Sequence, residues 1–391
     1  MQRRAFLKSA LPLASLFSTQ RVKSANDVLT YAVVGTGSRG RYLNRAFQKL
    51  GARCRALCDV YEPNLEAARA ESPNDVKLYV DYGEMLAKET VDFVVIATPD
   101  HHHRPCLLAA LEAKRDVYLE KPLSLNLEES QLMVEAVRRS DRIVQVGMQR
   151  RSLPFVLKAR DVVWQGMLGK LSLVEASWNW AFELPLDNSP LPGKLHWELF
   201  LGPAPKRPFE PRRFRWWRAF WDYSGGNMTD QGTHLMDVVQ WFANSGPPRS
   251  AVCHGKIINA PGAEVPNVFS AVFDYGDFIA TWTLNYRTDY NFDWSIRFHG
   301  EEATMVLDRF GYRIYRNAKH TPQPWQHPGK LELIAEEKDP GGTSTEPHLL
   351  NFLECVRTRQ QPNCTVEIAA AAVAGPHLAN IAYRENRLAQ L

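Results

Sequence analysis

The chain has 391 residues, too many for one ordinary hydrophobic core, so two domains are expected. Its 45% hydrophobic and 23% charged residues are typical of a soluble globular protein and exclude a disordered or fibrous one. The formal charge is +4, but five cations and no acid lie in residues 1–25. Without those five the charge is about −1, so no nucleic-acid partner is expected.

Residues 1–25 have the pattern of a twin-arginine export signal. Arg3 and Arg4 stand just before an apolar stretch over residues 10–17, which is too short to span a bilayer as a stable anchor. We therefore expect export to the periplasm, with the twin-arginine translocase as a partner. The alternative is a basic, frayed cytoplasmic terminus. No clean cleavage site is present, which leaves a lipid tether or an uncleaved signal open.

Residues 26–150 alternate short β-rich runs with helical segments, the pattern of parallel strands joined by helical crossovers. This predicts an α/β domain with a doubly wound parallel sheet, the Rossmann architecture. The predicted strands are residues 31–34, 54–60, 93–97, 116–119 and 143–146.

Residues 151–391 have longer strand-like runs, with hairpin signals at Tyr275-Gly276-Asp277 and His299-Gly300. They predict an α+β domain with a large, mostly antiparallel, open-faced sheet covered by helices near 229–243 and 346–358. A final helical segment, 368–386, is expected to break at Gly375-Pro376. The predicted strands are residues 171–182, 251–258, 267–275, 278–286, 293–299 and 303–307.

The six cysteines fall inside predicted regular segments and lack the dense spacing of a disulfide scaffold. We therefore expect all of them to be buried thiols.

A glycine-rich turn follows the first predicted strand and precedes a helical segment. Its sequence is Gly35-Thr36-Gly37-Ser38-Arg39-Gly40. In that setting one glycine makes the tight turn, one lets the backbone approach a pyrophosphate, and one lets the helix pack on the strand. The turn therefore predicts a dinucleotide site, the alternative being a glycine turn without a ligand.

Asp59 ends the next predicted strand, about 20 residues beyond the turn, where a carboxylate can accept hydrogen bonds from the adenosine ribose. A carboxylate there repels a 2′-phosphate, so NAD is favoured over NADP. A solvated strand-end aspartate would leave the choice undecided, and Arg39 could itself approach a 2′-phosphate.

Two further segments stand at carboxyl ends of predicted strands, the edge where such sheets bind ligands. They are Thr98-Pro99-Asp100-His101-His102-His103 and Glu120-Lys121-Pro122. Three histidines invite a metal, but consecutive residues cannot all converge on one ion and no further ligand completes a set, so no metal is predicted.

Taken together, the glycine turn, Asp59, Thr98-Pro99 and Glu120-Lys121-Pro122 resemble the glucose-fructose oxidoreductase, inositol dehydrogenase and rhizopine-catabolism (Gfo/Idh/MocA) family. The segment 225–237, with Asp230 and His234, resembles that family's Asp-x-x-x-His helix, and Gln149-Arg150 also fits, although many members have asparagine at the position of Gln149.

The resemblance implies a nicotinamide at the domain interface, facing a substrate on the open sheet. It assigns catalysis to Lys121, Asp230 and His234. The predicted cofactor residues are Gly35, Gly37, Ser38, Arg39, Gly40, Asp59, Thr98, Pro99, His103, Glu120, Lys121 and Gln149. The predicted substrate residues are Lys121, Arg150, Trp180, Trp217, Tyr223, Asp230 and His234.

Oxidation of a secondary alcohol needs a base for the hydroxyl proton and a cation for the developing alkoxide. Asp230 and His234 are four residues apart, so on one helix both project from the same face, and the carboxylate can orient the imidazole and keep its pKa near neutral. Lys121 supplies the cation, but a desolvated lysine can also be the base, which leaves the choice open. The alternative for Asp230 and His234 is a helix cap with a packed core histidine.

Residues 178–223 are rich in aromatic residues, mainly tryptophan, with arginines interleaved, and aromatic faces stack on sugar rings. The leading hypothesis is therefore an NAD-dependent oxidoreductase acting on a sugar, glycoside or polyol, which retains its cofactor and forms a homodimer or homotetramer. Core packing is the alternative for each aromatic ring. An NAD-dependent glycoside hydrolase and a non-catalytic sugar or dinucleotide sensor are the other functions, but the hydrolases depart from Glu-Lys-Pro and sensors can lose the lysine or histidine.

Overall fold

The computed structural model describes residues 28–318, 331–339 and 344–391. The predicted export signal at residues 1–25 lies outside the described residues. Within them, no helix has the length and apolar character needed to cross a bilayer.

Residues 30–146 form a six-stranded sheet in the order β3-β2-β1-β4-β5-β6, in which every pair is parallel. The doubly wound parallel sheet is thereby confirmed. The elements are β1 Thr30–Val34, α1 Ser38–Lys49, β2 Arg53–Cys58, α2 Glu62–Arg69, β3 Lys77–Tyr79, α3 Tyr82–Lys88, β4 Phe93–Ile96, α4 His103–Glu112, β5 Asp116–Leu119, α5 Leu127–Arg138 and β6 Val144–Val146.

The second domain has a nine-stranded sheet in the order β14-β13-β12-β11-β7-β10-β9-β8-β15. Only β10 and β7 pair in parallel, so the mostly antiparallel prediction is confirmed. The strands are β7 Leu171–Asn179, β8 Ser250–Lys256, β9 Val268–Asp274, β10 Ile279–Asn285, β11 Asp293–Gly300, β12 Ala303–Asp308, β13 Gly311–Arg316, β14 Glu332–Lys338 and β15 Ala389–Gln390. The helices are α6 Pro154–Trp164, α7 Trp197–Leu201, α8 Pro211–Arg215, α9 Gly226–Asp230, α10 Gly232–Ala243, α11 Glu346–Thr358 and α12 Val366–Glu385.

The large sheet buries only one of its faces. Alternate residues such as Phe273 and Trp282 are fully buried in a core with α10 and α12, whereas Val252, Val272 and Ile279 on neighbouring strands are exposed. Burial of every second residue leaves the other face of the sheet exposed, which is the predicted open face.

Four strands escaped prediction, one in the first domain and three near the C-terminal end of the second. β3 is a short edge strand with an exposed lysine, β14 carries four charged residues, and β15 has two residues. These three lack the apolar run or clean alternation on which a sequence prediction depends. The fourth, β13, was missed although its buried Tyr312 and Ile314 flank Arg313.

The two C-terminal helices of the predicted domain 151–391 also pack against the first domain. α11 packs into the Rossmann core through Phe352, whose ring contacts Phe47, Phe93 and Tyr118. α12 contributes Val373 to the Rossmann core and Leu378 to the core of the large sheet. The chain therefore returns to its first domain, because that domain's apolar surface needs a cover that residues 30–146 do not supply.

The predicted break at Gly375-Pro376 was wrong, since α12 is one helix from Val366 to Glu385. Gly375 and Pro376 are buried at the crossing from one core to the other. Tertiary packing on both sides outweighs the roughly 3 kcal/mol that proline costs inside a helix.

Replacing Phe352 by alanine tests the place of α11 in the Rossmann core. Because the ring is fully buried against three other rings, Phe352→Ala should lower the free energy of unfolding by about 3–5 kcal/mol, measured by urea denaturation. Leu350→Ala is the control, since Leu350 is half exposed on the same helix and its truncation should cost about 0.5 kcal/mol or less. Equal midpoints for the two variants would contradict this packing.

Candidate active site

A cleft of about 610 Å³ lies between the two domains, at the carboxyl ends of β1, β2, β4 and β5. The opposite wall comes from residues 199–218 and from His234 of the second domain. Most of the predicted site residues line this cleft. They are Gly35, Gly37, Ser38, Arg39, Asp59, Thr98, Pro99, Glu120, Lys121, Gln149, Trp217 and His234.

The three glycines of the turn have three different environments. Gly35 has φ +84°, and a Cβ there would lie 2.7 Å from the Ala97 carbonyl oxygen. A Cβ on Gly40 would collide with the Gly35 carbonyl, whereas one on Gly37 would meet only Asn64 at 3.9 Å, in the open cleft. These environments match a tight turn, close helix packing and a clear approach to the backbone. Gly40 therefore supports the site without lining it.

Helix α1 directs its N-terminus at the cleft. It begins at Ser38 with no side-chain cap and no acidic residue in its first turn. Its first N–H groups and the positive end of its dipole are thus available to an anion, the arrangement that binds a pyrophosphate.

Asp59 lies at the end of β2 on the cleft wall. Its carboxylate accepts hydrogen bonds from the backbone N–H of Thr36 at 2.7 Å and of Tyr61 at 2.9 Å, and Asn64 donates to it at 3.3 Å. Burial raises the pKa of Asp59, and the two backbone donors oppose the shift. The turn therefore holds a carboxylate where a ribose would lie.

Arg39 does not point at that carboxylate. Its Nε donates to Glu120 Oε1 at 2.7 Å, and its guanidinium lies 5.0 Å from the centre of the Tyr42 ring. Tied to Glu120 in this way, it is not placed as a receptor for a 2′-phosphate.

Several buried polar atoms on the cleft wall have no partner among the described residues. They are Thr98 Oγ1, Gln149 Oε1, Asp100 Oδ1 and His234 Nδ1. Buried polar atoms are normally hydrogen-bonded, so a row of unpaired ones indicates groups that a ligand satisfies. Together with the open Gly37 and Asp59, they fit a bound dinucleotide.

Lys121 joins the two domains through a buried ion pair. Its Nζ donates to Asp230 Oδ1 at 2.8 Å and to the Asp230 carbonyl at 2.9 Å, and Arg218 Nε lies 3.2 Å from the same Oδ1. Burial alone would raise the pKa of Asp230, but Arg218 and Lys121 outweigh it and hold the pKa well below its usual range. Asp230 is therefore a fixed anion between two cations.

The predicted pairing of Asp230 with His234 was wrong. Gln231 separates α9 from α10, so Asp230 and His234 are not on one continuous helix. The Asp230 carboxylate instead forms ion pairs with Lys121 and Arg218. Burial, followed by the charges of Lys121 and Arg150, holds the pKa of His234 well below its usual value, not near neutral. His234 is thus a neutral imidazole with an unpartnered Nδ1 on the cleft wall.

Four predicted substrate residues lie off the cleft wall, and one of them is Asp230, the partner of Lys121. Arg150 is buried, with its guanidinium 4.1 Å from the centre of the Trp294 ring. Trp180 stacks on Tyr286 beside a separate shallow groove. Tyr223 is fully buried against His101 and Phe200. The rings of Trp180 and Tyr223 are engaged in packing against other rings. The positive charge of Arg150 helps to lower the pKa of His234.

Two of the three consecutive histidines meet at one carbonyl oxygen, and the third bonds elsewhere. His101 and His102 each place Nε2 2.8 Å from the Phe200 carbonyl oxygen of the second domain. His103 lies between the carbonyl oxygens of Pro122 and Thr98, so it supports the cofactor loops from below. Among the described residues, no group of three or more candidate side chains could hold a metal ion. All six cysteines are buried free thiols, as predicted.

Sequence reasoning missed Asp100 and Arg218 as site residues. Asp100 is buried on the cleft wall, and Arg218 both bonds Asp230 and stacks 4.0 Å from the centre of the Trp217 ring. The position of Asp100 directly after Pro99, at the end of β4, was a usable signal. Arg218 belongs to the arginine-containing aromatic segment 178–223, but only the fold shows that it reaches Asp230.

Comparison with known protein families adds to this geometry. The Gfo/Idh/MocA profile, described as an oxidoreductase family with an NAD-binding Rossmann fold, matches residues 29–148. Two profiles for the family's C-terminal alpha/beta domain match residues 156–251 and 204–384. The chain belongs to the Gfo/Idh/MocA family of oxidoreductases. Its first domain is accordingly that family's NAD-binding domain, and NAD is its cofactor.

Individual relatives are distant. An uncharacterized oxidoreductase of Bacillus subtilis, YrbE, is 22% identical over 340 residues, which cover 85% of this chain and 88% of the relative. Inositol 2-dehydrogenase of Corynebacterium glutamicum is 27% identical over 220 residues, which cover 56% of this chain and 55% of the enzyme.

Two solved structures share the fold. One is the WlbA dehydrogenase from Bordetella pertussis in complex with NADH and UDP-GlcNAcA, with a TM-score of 0.73 and 19% identity over 94% of this chain and 99% of that chain. The other is the aldose-aldose oxidoreductase from Caulobacter crescentus complexed with glycerol, with a TM-score of 0.70 and 17% identity over 93% and 100% of the two chains. At such identities the likeness shows the fold alone.

The carboxylate of Asp59 should decide between the two cofactors. Because it would repel a 2′-phosphate, we expect NAD to bind at least about tenfold more tightly than NADP, and Asp59→Asn to remove most of that preference. Isothermal titration calorimetry with each cofactor measures the ratio. Asp75→Asn removes the same charge from an exposed site and should leave the ratio unchanged. A preference that survives in Asp59→Asn would refute the role of this carboxylate.

Proposed function

We propose that this protein transfers a hydride between a secondary alcohol of a sugar, glycoside or polyol and NAD. The observation that carries the proposal is the Lys121–Asp230 pair, which spans the two domains and holds Lys121 on the wall of the cofactor cleft, where the neutral His234 also lies. When bound, NAD supplies the hydride acceptor, and the chain's own residues position the alcohol and manage its proton.

Lys121 is the group that stabilises the developing alkoxide. Its ammonium donates two hydrogen bonds to Asp230, which fixes the nitrogen without neutralising the cationic character of the site, because Arg218 shares the same carboxylate. A preorganised cation in a water-poor site is the arrangement that lowers the cost of charge on oxygen.

His234 is the base in this proposal. Its imidazole is uncharged and its Nδ1 has no partner among the described residues, so it can accept the hydroxyl proton. Lys121 is already donating to Asp230 and is less suited to that task. The geometry thus favours one of the two candidates that the sequence leaves open.

A carbohydrate substrate is supported by the wall opposite the glycine turn. The Arg218 guanidinium stacks on the Trp217 ring, and both side chains line the cleft. Rings and arginines of this kind bind sugar faces and hydroxyls. Relatives and neighbours with sugar or polyol names, such as inositol 2-dehydrogenase and the aldose-aldose oxidoreductase, support the same substrate class.

Hydride transfer by variants tests the roles of the two residues. Lys121→Met and His234→Asn should each slow reduction of bound NAD by about 100-fold or more with myo-inositol, levoglucosan or glucose as probes, followed by stopped-flow absorbance of the reduced nicotinamide. Lys158→Met removes an exposed cation from α6 and should keep the wild-type rate. Wild-type rates in both site variants would overturn the assignment, and release of phenol from aryl glycosides would favour the hydrolase instead.

Export with a retained cofactor and assembly into a homodimer or homotetramer complete the proposal. The pattern at Arg3 and Arg4 supports twin-arginine export, and the exposed Val252, Val272 and Ile279 on the open sheet face support an interface between copies of this chain. Replacing both arginines by lysine should keep the protein in the cytoplasm, as measured by fractionation. Mass spectrometry of the exported protein should recover NAD, and an exported protein without any dinucleotide would contradict retention.

A further inference from the structure

Asp100 is a buried carboxyl group on the wall of the cofactor cleft to which the proposed mechanism gives no task. Only 1% of the residue is exposed. Its Oδ2 accepts a hydrogen bond from Ser224 Oγ at 2.8 Å, whereas its Oδ1 has no partner among the described residues. A buried acid with one free oxygen, in a cleft, is costly to keep charged and is therefore a candidate proton acceptor.

The charged groups around Asp100 come from three other elements. Asp230 ends α9, Arg218 lies in the short helix Trp217–Ala219, and Lys121 follows β5. On its own element, His101 and His102 stay neutral because burial lowers the pKa of both. Two cations and two carboxylates thus share one enclosed region.

This balance makes Asp100 titrate in the physiological range. Burial, and then the negative charge of Asp230, raises the pKa of Asp100 to about 7, while Arg218 and Ser224 oppose the shift. By contrast, Asp230 stays ionised and His234 stays neutral at that pH. Asp100 is therefore the group in this cluster whose protonation changes with a small change in the surrounding charge.

We propose that Asp100 stores the proton that alcohol oxidation releases, and that its protonation is coupled to the redox state of the bound nicotinamide. The inference rests on the proposed function, since it needs a hydride acceptor in the cleft. It adds a site that His234 cannot provide, because burial, followed by the charges of Lys121 and Arg150, prevents the imidazole from keeping a proton.

The step balances in atoms and charge. The alcohol C–H bond breaks and its hydride goes to NAD⁺, which is reduced, while the O–H proton leaves through His234 and ends on the Asp100 carboxylate. The substrate becomes a ketone. Hydride transfer removes one positive charge from the cleft, and protonation of Asp100 removes one negative charge, so the total charge of the enclosed site is unchanged. In the reverse half-reaction the stored proton returns with the hydride to a second sugar.

The coupling has a defined sign. A positive nicotinamide favours the ionised Asp100 and lowers its pKa, whereas the neutral reduced ring lets its pKa rise. By linkage, lower pH must favour NADH over NAD⁺. Asp100 has one pKa with NAD⁺ bound and a higher one with NADH bound. As the pH rises between these two values, the dissociation constant of NADH divided by that of NAD⁺ should increase by up to about tenfold for each pH unit. Outside that range the ratio should not change with pH.

The test uses cofactors alone and therefore needs no identified sugar. Apoprotein is titrated with NAD⁺ and with NADH by calorimetry between about pH 5.5 and 8.5, and the ratio of dissociation constants is compared across variants. In the wild type we expect the ratio to change with pH, and in Asp100→Asn we expect a flat ratio. Ser224→Ala removes a donor to the charged carboxyl, so it should raise the pKa of Asp100 and move the same transition to higher pH.

Asp75→Asn is the matched control, since it removes an exposed carboxyl that does not line the cleft and should keep the transition. A flat ratio in the wild type, or an unchanged transition in Asp100→Asn, would overturn the proposal, as would a transition lost in Asp75→Asn. Ser224→Ala keeps the carboxyl, so it gives an answer even if Asp100→Asn fails to fold. A coupled ratio without oxidation of any sugar probe would defeat the proposed function and leave the Asp100 site standing.

Discussion

The ion pair between Lys121 and Asp230 is the contact on which the site depends. Each residue lies at the end of an element in a different domain, and neither finds its partner unless the two domains are docked. Both side chains are mostly buried, so either charge alone would carry a large desolvation cost. The pair therefore ties formation of the cleft to completion of the fold, and it sets the position of the cation that the chemistry needs.

The charges of the cleft act as one system. Lys121 and Arg218 hold Asp230 ionised, and burial, reinforced by the charges of Lys121 and Arg150, keeps His234 neutral. In these surroundings the His234 imidazole can accept a proton but cannot retain it. Burial and the negative charge of Asp230 raise the pKa of Asp100, so this carboxyl group retains a proton more readily than a free aspartate. Proton uptake and proton storage are thus separated between two side chains by their surroundings and not by their intrinsic chemistry.

The sequence predicts the cofactor half of the site far better than the substrate half. Gly35, Gly37, Gly40 and Asp59 are local features of one strand-turn-helix unit, so their spacing carries their roles. Asp230 and His234 were found as residues, but their relation was misjudged, because a break at Gln231 and a partner on the other domain cannot be read from a spacing of four. Tyr223 and Trp180 failed for a related reason, since an aromatic ring serves core packing and ligand stacking equally well. The return of α11 and the continuity of α12 through Pro376 depend on which apolar surface remains uncovered, a property of the folded chain.

Helix α12 explains why the two halves of the site can meet with defined geometry. Its first turns are part of the Rossmann core and its later turns are part of the core beneath the large sheet, so one rigid element is anchored in both domains. The Asn380 side chain on the same helix donates to the Gly225 carbonyl, just before the segment that carries Asp230. A change in the angle between the domains would therefore have to disrupt two packed cores at once. Because misplacement by about 1 Å can cost a factor of 100 in rate, a site divided between two domains needs such a brace, and the cost of a proline inside a helix is small beside it.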